Sequence, residues 1–215
     1  MTISKKTRLL PPPFIGTKIK IRVPEDYQFF GLRSTTLAPG CETVTVEWGD
    51  GTSDTQEGFS RFQHEYAHPG EYEVLISDEL SQFALSTSNT GSAFHTHIAP
   101  MVLSVLSNAK NLHALYDDCF FHCINMAGCA FNGVQLTTFA KSPFAECASL
   151  AGSLALPFAE SIEGDKENLP FAGCMGLTEI HFAQAKKEML LACPAFEDYE
   201  STRLGAENAT VYFDL

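Results

Sequence analysis

The chain has 215 residues, 45% hydrophobic and 19% charged, an ordinary globular balance with enough length to bury a core in one large or two small domains. Its formal net charge of −12 opposes a phosphate backbone, which argues against a nucleic-acid partner, and no stretch approaches the ~20 apolar residues of a membrane span. Seven Cys, an odd number, exclude a fully paired internal disulfide set.

Residues 1–14 are polar and close on a Pro-Pro-Pro run, which predicts a flexible leader. Lys5, Lys6, Arg8, Lys18, Lys20 and Arg22 form the only basic concentration and read as a solvated tail and first strand. This start lacks the apolar run of ~7–15 residues found in secretory signals, so no export signal is visible in the sequence as written. From Lys18, Ile19, Ile21 and Val23 alternate with Lys20 and Arg22, the period of a half-buried strand. A weaker strand follows at YQFFGLRS, and Val44, Val46 and Trp48 alternate in ETVTVEW. Gly49-Asp50-Gly51-Thr52 is a tight turn, because Asp-Gly supports positive φ. Two more strands flank His68-Pro69-Gly70, so short strands between Gly and Pro turns predict a β-sandwich over 15–85.

The texture then changes. Residues 86–99 are Ser/Thr-rich and read as a linker. Over 100–215 a longer repeat replaces the period of two. Phe144, Cys147, Leu150 and Phe171, Cys174, Leu177 share the frame Phe-x-x-Cys-x-x-Leu, and Phe120, Cys123, Met126 fit it. The steps from Cys123 to Cys147 to Cys174 are 24 and 27 residues, within the ~20–29 of leucine-rich repeats. Leu106, Ala109, Leu112 form a degenerate copy, and Phe196 and Tyr199 continue the frame less cleanly. Single turns of a solenoid cannot bury their apolar faces alone, so they stack, Phe over Phe and Cys over Cys. Seventeen Phe against one Trp agree with such a spine. The segments LHALYD, MAGCAF, LAGSLAL and LTEIHF are expected side by side as a small parallel sheet, closed by NATVYFDL.

WGDGT followed by HEYAHPGEYEV, carried by Trp48, Asp50, His64, Tyr66, Pro69, Gly70, Tyr72 and Val74, resembles the polycystic-kidney-disease (PKD) domain over roughly 15–85. The resemblance implies a seven-stranded immunoglobulin-like sandwich used for binding or spacing, with no catalysis. In that family the His packs in the sandwich and meets the GDGT turn. FAGCMGLTEIHF resembles the BspA-type leucine-rich repeats of bacterial proteins, over roughly 100–215. That resemblance implies adhesion or partner recognition at a cell surface or in a secreted protein, although the compartment stays open.

Each polar constellation has a bland reading beside a chemical one. Asp50 reads as a turn-former rather than a calcium ligand, since calcium takes ~6–8 oxygens and no D-x-D-x-D loop surrounds it. His64 and His68 read as structural. His95 and His97 have the spacing of two ligands on one strand face but lack a third. Cys119, His122, Cys123 and Cys129 are the best zinc or nucleophile candidates, yet the repeat already explains Cys123 as a buried, inert thiol. Hydrolase, P-loop, dinucleotide and zincin motifs are missing from the sequence.

The expectation is therefore a mainly β protein, an immunoglobulin-like sandwich followed by a short leucine-rich-repeat solenoid. Its expected role is non-catalytic interaction with a protein or glycan, without cofactor or metal. Thr178, Glu179 and His181 are its candidate surface. The alternatives are a self-associating structural subunit of a surface or phage-like assembly, and a metal enzyme built on the Cys/His cluster.

Overall fold

Alternation sets the first half. Ile19, Ile21 and Val23 are buried while Arg22 between them is exposed, so β1 (Gly16–Val23) turns one face inward. The computed structural model describes residues 14–26, 28–58, 60–85, 98–132, 136–165 and 168–215, and the chain is mainly β. Residues 1–13 of the expected leader, 86–97 of the expected linker, and with them Lys5, Lys6, Arg8, His95 and His97, lie outside the described residues.

Six strands follow in the first half: β2 (Gln28–Leu37), β3 (Thr43–Glu47), β4 (Ser53–Glu57), β5 (Arg61–Tyr66), β6 (Gly70–Ser77) and β7 (Leu80–Ala84). The second half adds β8 (Val102–Ser107), β9 (Ala114–Leu115), β10 (Gly128–Phe131), β11 (Thr138–Phe139), β12 (Ala151–Leu156), β13 (Ser161–Ile162), β14 (Gly176–Phe182) and β15 (Thr210–Phe213). They form a first sheet β10-β8-β1-β6-β3-β4, a second β13-β11-β9-β7-β2-β5 and a third β12-β14-β15. The first two are compatible with a β-sandwich whose core holds Ile19, Val46, Trp48 and Val74 from one sheet and Phe30, Leu32, Phe62 and Phe83 from the other.

Both large sheets run unbroken into the second half. β1 pairs antiparallel with β8, and β10 joins β8 in parallel. In the second sheet β7 pairs in parallel with β9, which pairs with β11 and through it with β13. The hydrophobic core is correspondingly one cluster from Ile19 to Ala209.

The repeated residues stack. The rings of Phe120 and Phe144 lie 5.4 Å apart, and those of Phe144 and Phe171 5.5 Å apart and 8° from parallel. Phe83 abuts Phe120 edge-on at 6.0 Å and covers the near end of the column. Backbone bonds tie successive levels: the Phe120 amide donates to the Pro143 carbonyl, and the Phe144 amide to Pro170. The Cys147 thiol donates to the Phe120 carbonyl and the Cys174 thiol to Phe144, both at 3.0 Å. Phe144, Cys147, Leu150, Phe171, Cys174 and Leu177 are all buried. All seven cysteines are free thiols.

Two details differ from the sequence reading. LTEIHF, LAGSLAL and the terminal TVYF do form a parallel sheet, but MAGCAF lies in the first sheet as β10 and LHALYD in the second as β9. LHALYD belongs to a second, two-residue strand of each repeat, placed just before the stacking Phe. Leu115 precedes Phe120 as Phe139 precedes Phe144. Phe196 and Tyr199 leave the frame as well. They pack instead against Phe182 and Phe213, on a segment that includes two short helices, α1 (Lys187–Leu191) and α2 (Tyr199–Thr202). The Phe171 amide meets Leu204 in the next level, and a Cβ on the adjacent Gly205 would lie 2.6 Å from the Ala172 amide nitrogen. That level has no room for a ring.

Candidate functional site

The Asp50 turn holds its own charge. Gly49 has φ +84, and a Cβ there would lie 2.7 Å from the Glu73 carbonyl, so only glycine fits this turn. Asp50 Oδ1 accepts from the Thr52 amide at 3.0 Å and the Thr52 hydroxyl at 2.6 Å, while Oδ2 faces His64 Nε2 at 2.7 Å. Burial acts to raise the Asp50 carboxyl, but the Thr52 and His64 hydrogen bonds outweigh it and hold the group below its ordinary range. The His64 ring stacks on Trp48 at 5.1 Å and meets Tyr66 edge-on at 4.6 Å. The Tyr66 hydroxyl donates to the Trp48 carbonyl, and burial pushes its pKa well above the usual tyrosine value. Trp48, Asp50, His64 and Tyr66 thus form one knot, with Asp50's oxygens taken up by turn and histidine.

The second candidate set does not converge. The Cys119 thiol donates to the Phe83 carbonyl, Cys123 lies in the ladder beside Cys147, and His122 turns to Glu146. Burial raises the Cys119 thiol far above neutrality and pushes Cys129 up to about 12. The contact with Cys123, then burial, raises Cys147, and the contact with Cys147 raises Cys174. Thiols buried and held protonated in this way are poor nucleophiles at pH 7. Among the described residues no group of three His, Cys, Asp or Glu side chains is placed to hold a metal ion.

His122 and Glu146 are a feature that the sequence did not signal. They occupy equivalent corners of successive repeats, with φ of 60° and 61°, and His122 Nδ1 faces Glu146 Oε2 at 2.7 Å. The third repeat has Gly173 at that corner. A left-handed backbone costs a non-glycine residue roughly 1–2 kcal/mol, and an exposed ion pair returns about 0–1 kcal/mol. The pair therefore does not offset the strain of two such residues.

The predicted surface lies on the third sheet. Thr178 is exposed at a bulge, where the β12 register shifts, and its hydroxyl donates to the Gly152 carbonyl at 3.2 Å. Glu179 and His181 project from the same face, since the intervening Ile180 is buried. His181 sits between carboxylates, with Nδ1 2.8 Å from Asp214 and Nε2 3.4 Å from Glu179, and stacks on Tyr212 at 4.9 Å. Burial acts to lower its pKa, but the hydrogen bonds to Asp214 and Glu179 prevail and raise it.

Register extends this face sideways. Glu179 lies between Ser153 and Thr210, and His181 between Ala155 and Tyr212. β12 lies alongside β10, whose Gly128 and Ala130 pair with Ser104 and Leu106 of β8. Ser104 and Leu106 in turn pair with Lys20 and Lys18 of β1. The row from Ser153 and Ala155 through Gly128 and Ala130 to Ser104 and the exposed Leu106 is flanked by Glu179, His181 and Tyr212 on one side. On the other flank Lys20 and Arg22 hold Glu71, whose carboxyl falls to about 2.

The structure thus brings Thr178, Glu179 and His181 onto one face and adds Asp214 and Tyr212 to them. Sequence reasoning missed those two because β15 was read only as a closing strand. No helix among the described residues is long and apolar enough to cross a membrane. No family model, curated protein or solved structure matches the chain.

Proposed function

We propose that this chain is a non-catalytic recognition module, a PKD-type sandwich joined to a short BspA-like leucine-rich-repeat stack. It binds a protein or glycan partner through the outward face around Thr178, Glu179 and His181. What carries the reading is a contrast in how polar groups are used. Asp50, His64 and the ladder thiols are spent on the fold, whereas Glu179, His181, Tyr212 and Asp214 gather on an open sheet face. A histidine held by carboxylates beside an aromatic ring is a preorganised polar contact on a rigid scaffold, and a short array offers a small surface that gains from several copies. The Phe and Cys columns support the solenoid reading, and the Trp48–Asp50–His64–Tyr66 knot supports the sandwich reading.

The test is a glycan array and a panel of candidate surface proteins, probed with the full chain and with a His181→Ala, Tyr212→Ala double variant. A saturable binder lost in the variant is the expected result. No saturable binder, or one indifferent to the double change, removes the reading.

One observation favours a structural subunit as the second reading. β15 is an outermost strand of the third sheet and its Thr210–Phe213 run is uncharged, whereas the β4 edge carries Asp54 and Glu57. Uncharged edges invite pairing between copies. Light scattering discriminates, since a strict monomer at all concentrations rejects self-assembly.

A further inference from the structure

A separate cleft opens beside the ring column, on the repeat corners rather than on the sheet face. Phe121, Ser142, Ala145, Glu146, Asn168 and Ala172 line it, and another cleft, of about 450 Å³, lies elsewhere.

 The larger lies at the start of β2 beside Arg22, Pro24 and Pro100. The smaller, of about 320 Å³, is the one at the repeat corners, near the lower end of the ~300–1,000 Å³ range of small-molecule sites.

Repeat position explains the corner cleft. At the residue after each stacking Phe, the second and third repeats carry Ala145 and Ala172, which leave a hollow, while the first carries Phe121, which forms a wall. Glu146 and Ser142 face this hollow from left-handed backbone, with φ of 61° and 49°. His122 holds one oxygen of the Glu146 carboxylate and so fixes its direction. Asn168 stands across from them on the next level, fixed by Asp165, which accepts from both its backbone amide and its side-chain amide. The corner keeps His122 and Glu146 where Gly173 serves the third repeat without strain, a local cost that points to use of the side chains.

We infer that this cleft binds one neutral saccharide unit. Its rim mixes acceptors with groups that both donate and accept: the Glu146 carboxylate, the Ser142 hydroxyl and the Asn168 amide. A sugar presents hydroxyls that do both, together with an apolar C–H face for the Phe121 ring and the alanine floor. A quaternary ammonium ligand such as choline has no N–H to give the Glu146 carboxylate, and its single hydroxyl engages only part of the rim. The inference is independent of the sheet-face reading, because none of the cleft residues belongs to the third sheet.

The experiment uses the full chain, with D-glucose, D-galactose and N-acetyl-D-glucosamine as probes and choline as the ammonium control, followed by saturation-transfer NMR and calorimetry. At least one sugar is expected to saturate, with affinity falling about tenfold or more in Phe121→Ala and in Glu146→Gln, the size of a lost ring or charged contact. Thermal melts check that each variant is folded, and Ser142→Gly, which relieves a positive φ while removing the hydroxyl, replaces any that is not. No saturation by the three sugars, binding that survives the substitutions, or preference for choline overturns the inference.

Discussion

The Cys174 thiol meets the Phe144 carbonyl at 3.0 Å across the boundary between two successive repeats, and the Phe144 ring lies flat on Phe171, three residues before that thiol. One bond and one ring contact thus join the same two levels. The same carbonyl also accepts from the Cys147 amide at 3.2 Å, so the thiol adds a second bond there beside the column of rings.

The first expectation concerns thiol chemistry. Cys119, Cys123, Cys147 and Cys174 are buried, whereas Cys41 and Cys193 are partly open. Only a thiolate reacts, and burial keeps Cys119 protonated at neutral pH. Maleimide labelling of the native protein, read by peptide mass spectrometry, is expected to mark Cys41 and Cys193 and to spare the four buried thiols until denaturant is added. Native labelling of Cys147 or Cys174 contradicts the ladder.

Removal of the central ring is the second. Phe144 is fully buried and touches Phe120, Phe131, Phe139 and Phe171. Phe144→Ala is expected to destabilise by about 3–5 kcal/mol, and Phe144→Leu by less, since it keeps most of the volume. Urea denaturation measures both, and a loss below about 1 kcal/mol for the alanine variant rejects the column as core.

His181 gives the third. Burial acts to lower its folded pKa, but Asp214 and Glu179 prevail and raise it above the ordinary histidine value of 6.5. The stabilisation is therefore fully present below 6.5 and is lost as pH rises through the folded value. The melting temperature of the native chain relative to His181→Gln is expected to be highest in mildly acid buffer and to converge upon it in alkaline buffer. A difference that grows with pH reverses the sign and refutes the clamp.

Asp50 gives the fourth, with the opposite sign. Its folded pKa lies below the ordinary aspartate value of 3.8, so its stabilisation is present above 3.8 and lost as pH falls through the folded value. Asp50→Asn is expected to cost about 1.5–3 kcal/mol at neutral pH, the range of hydrogen bonds to a charged group, with the gap closing in acid. Denaturation at pH 7 and in acid compares the two.

Much of this was legible in the sequence. Ile19, Ile21 and Val23 announced β1 by alternation, and the Phe-x-x-Cys-x-x-Leu frame announced the two columns, because both follow from local period and identical burial. The two-residue strands β9, β11 and β13 were not legible, since a period of two needs more than two residues to appear. His122 facing Glu146 and His181 facing Asp214 were hidden for another reason: the partners lie 24 and 33 residues apart and meet only once the levels stack. At the surface, Thr178, Glu179 and His181 could be read from their strand, whereas Asp214 and Tyr212 entered through the parallel pairing of β15.

The pairing of β1 with β8 and of β7 with β9 makes each half a lodger in the other's architecture. Cut between 85 and 98, either fragment would expose backbone donors and acceptors along two strands that are now interior. Such fragments are expected to aggregate, and the intact chain to melt in a single calorimetric transition. Evolution or engineering that exchanges modules at this seam must therefore carry both borders across together, as one would move a wall with its doorframe.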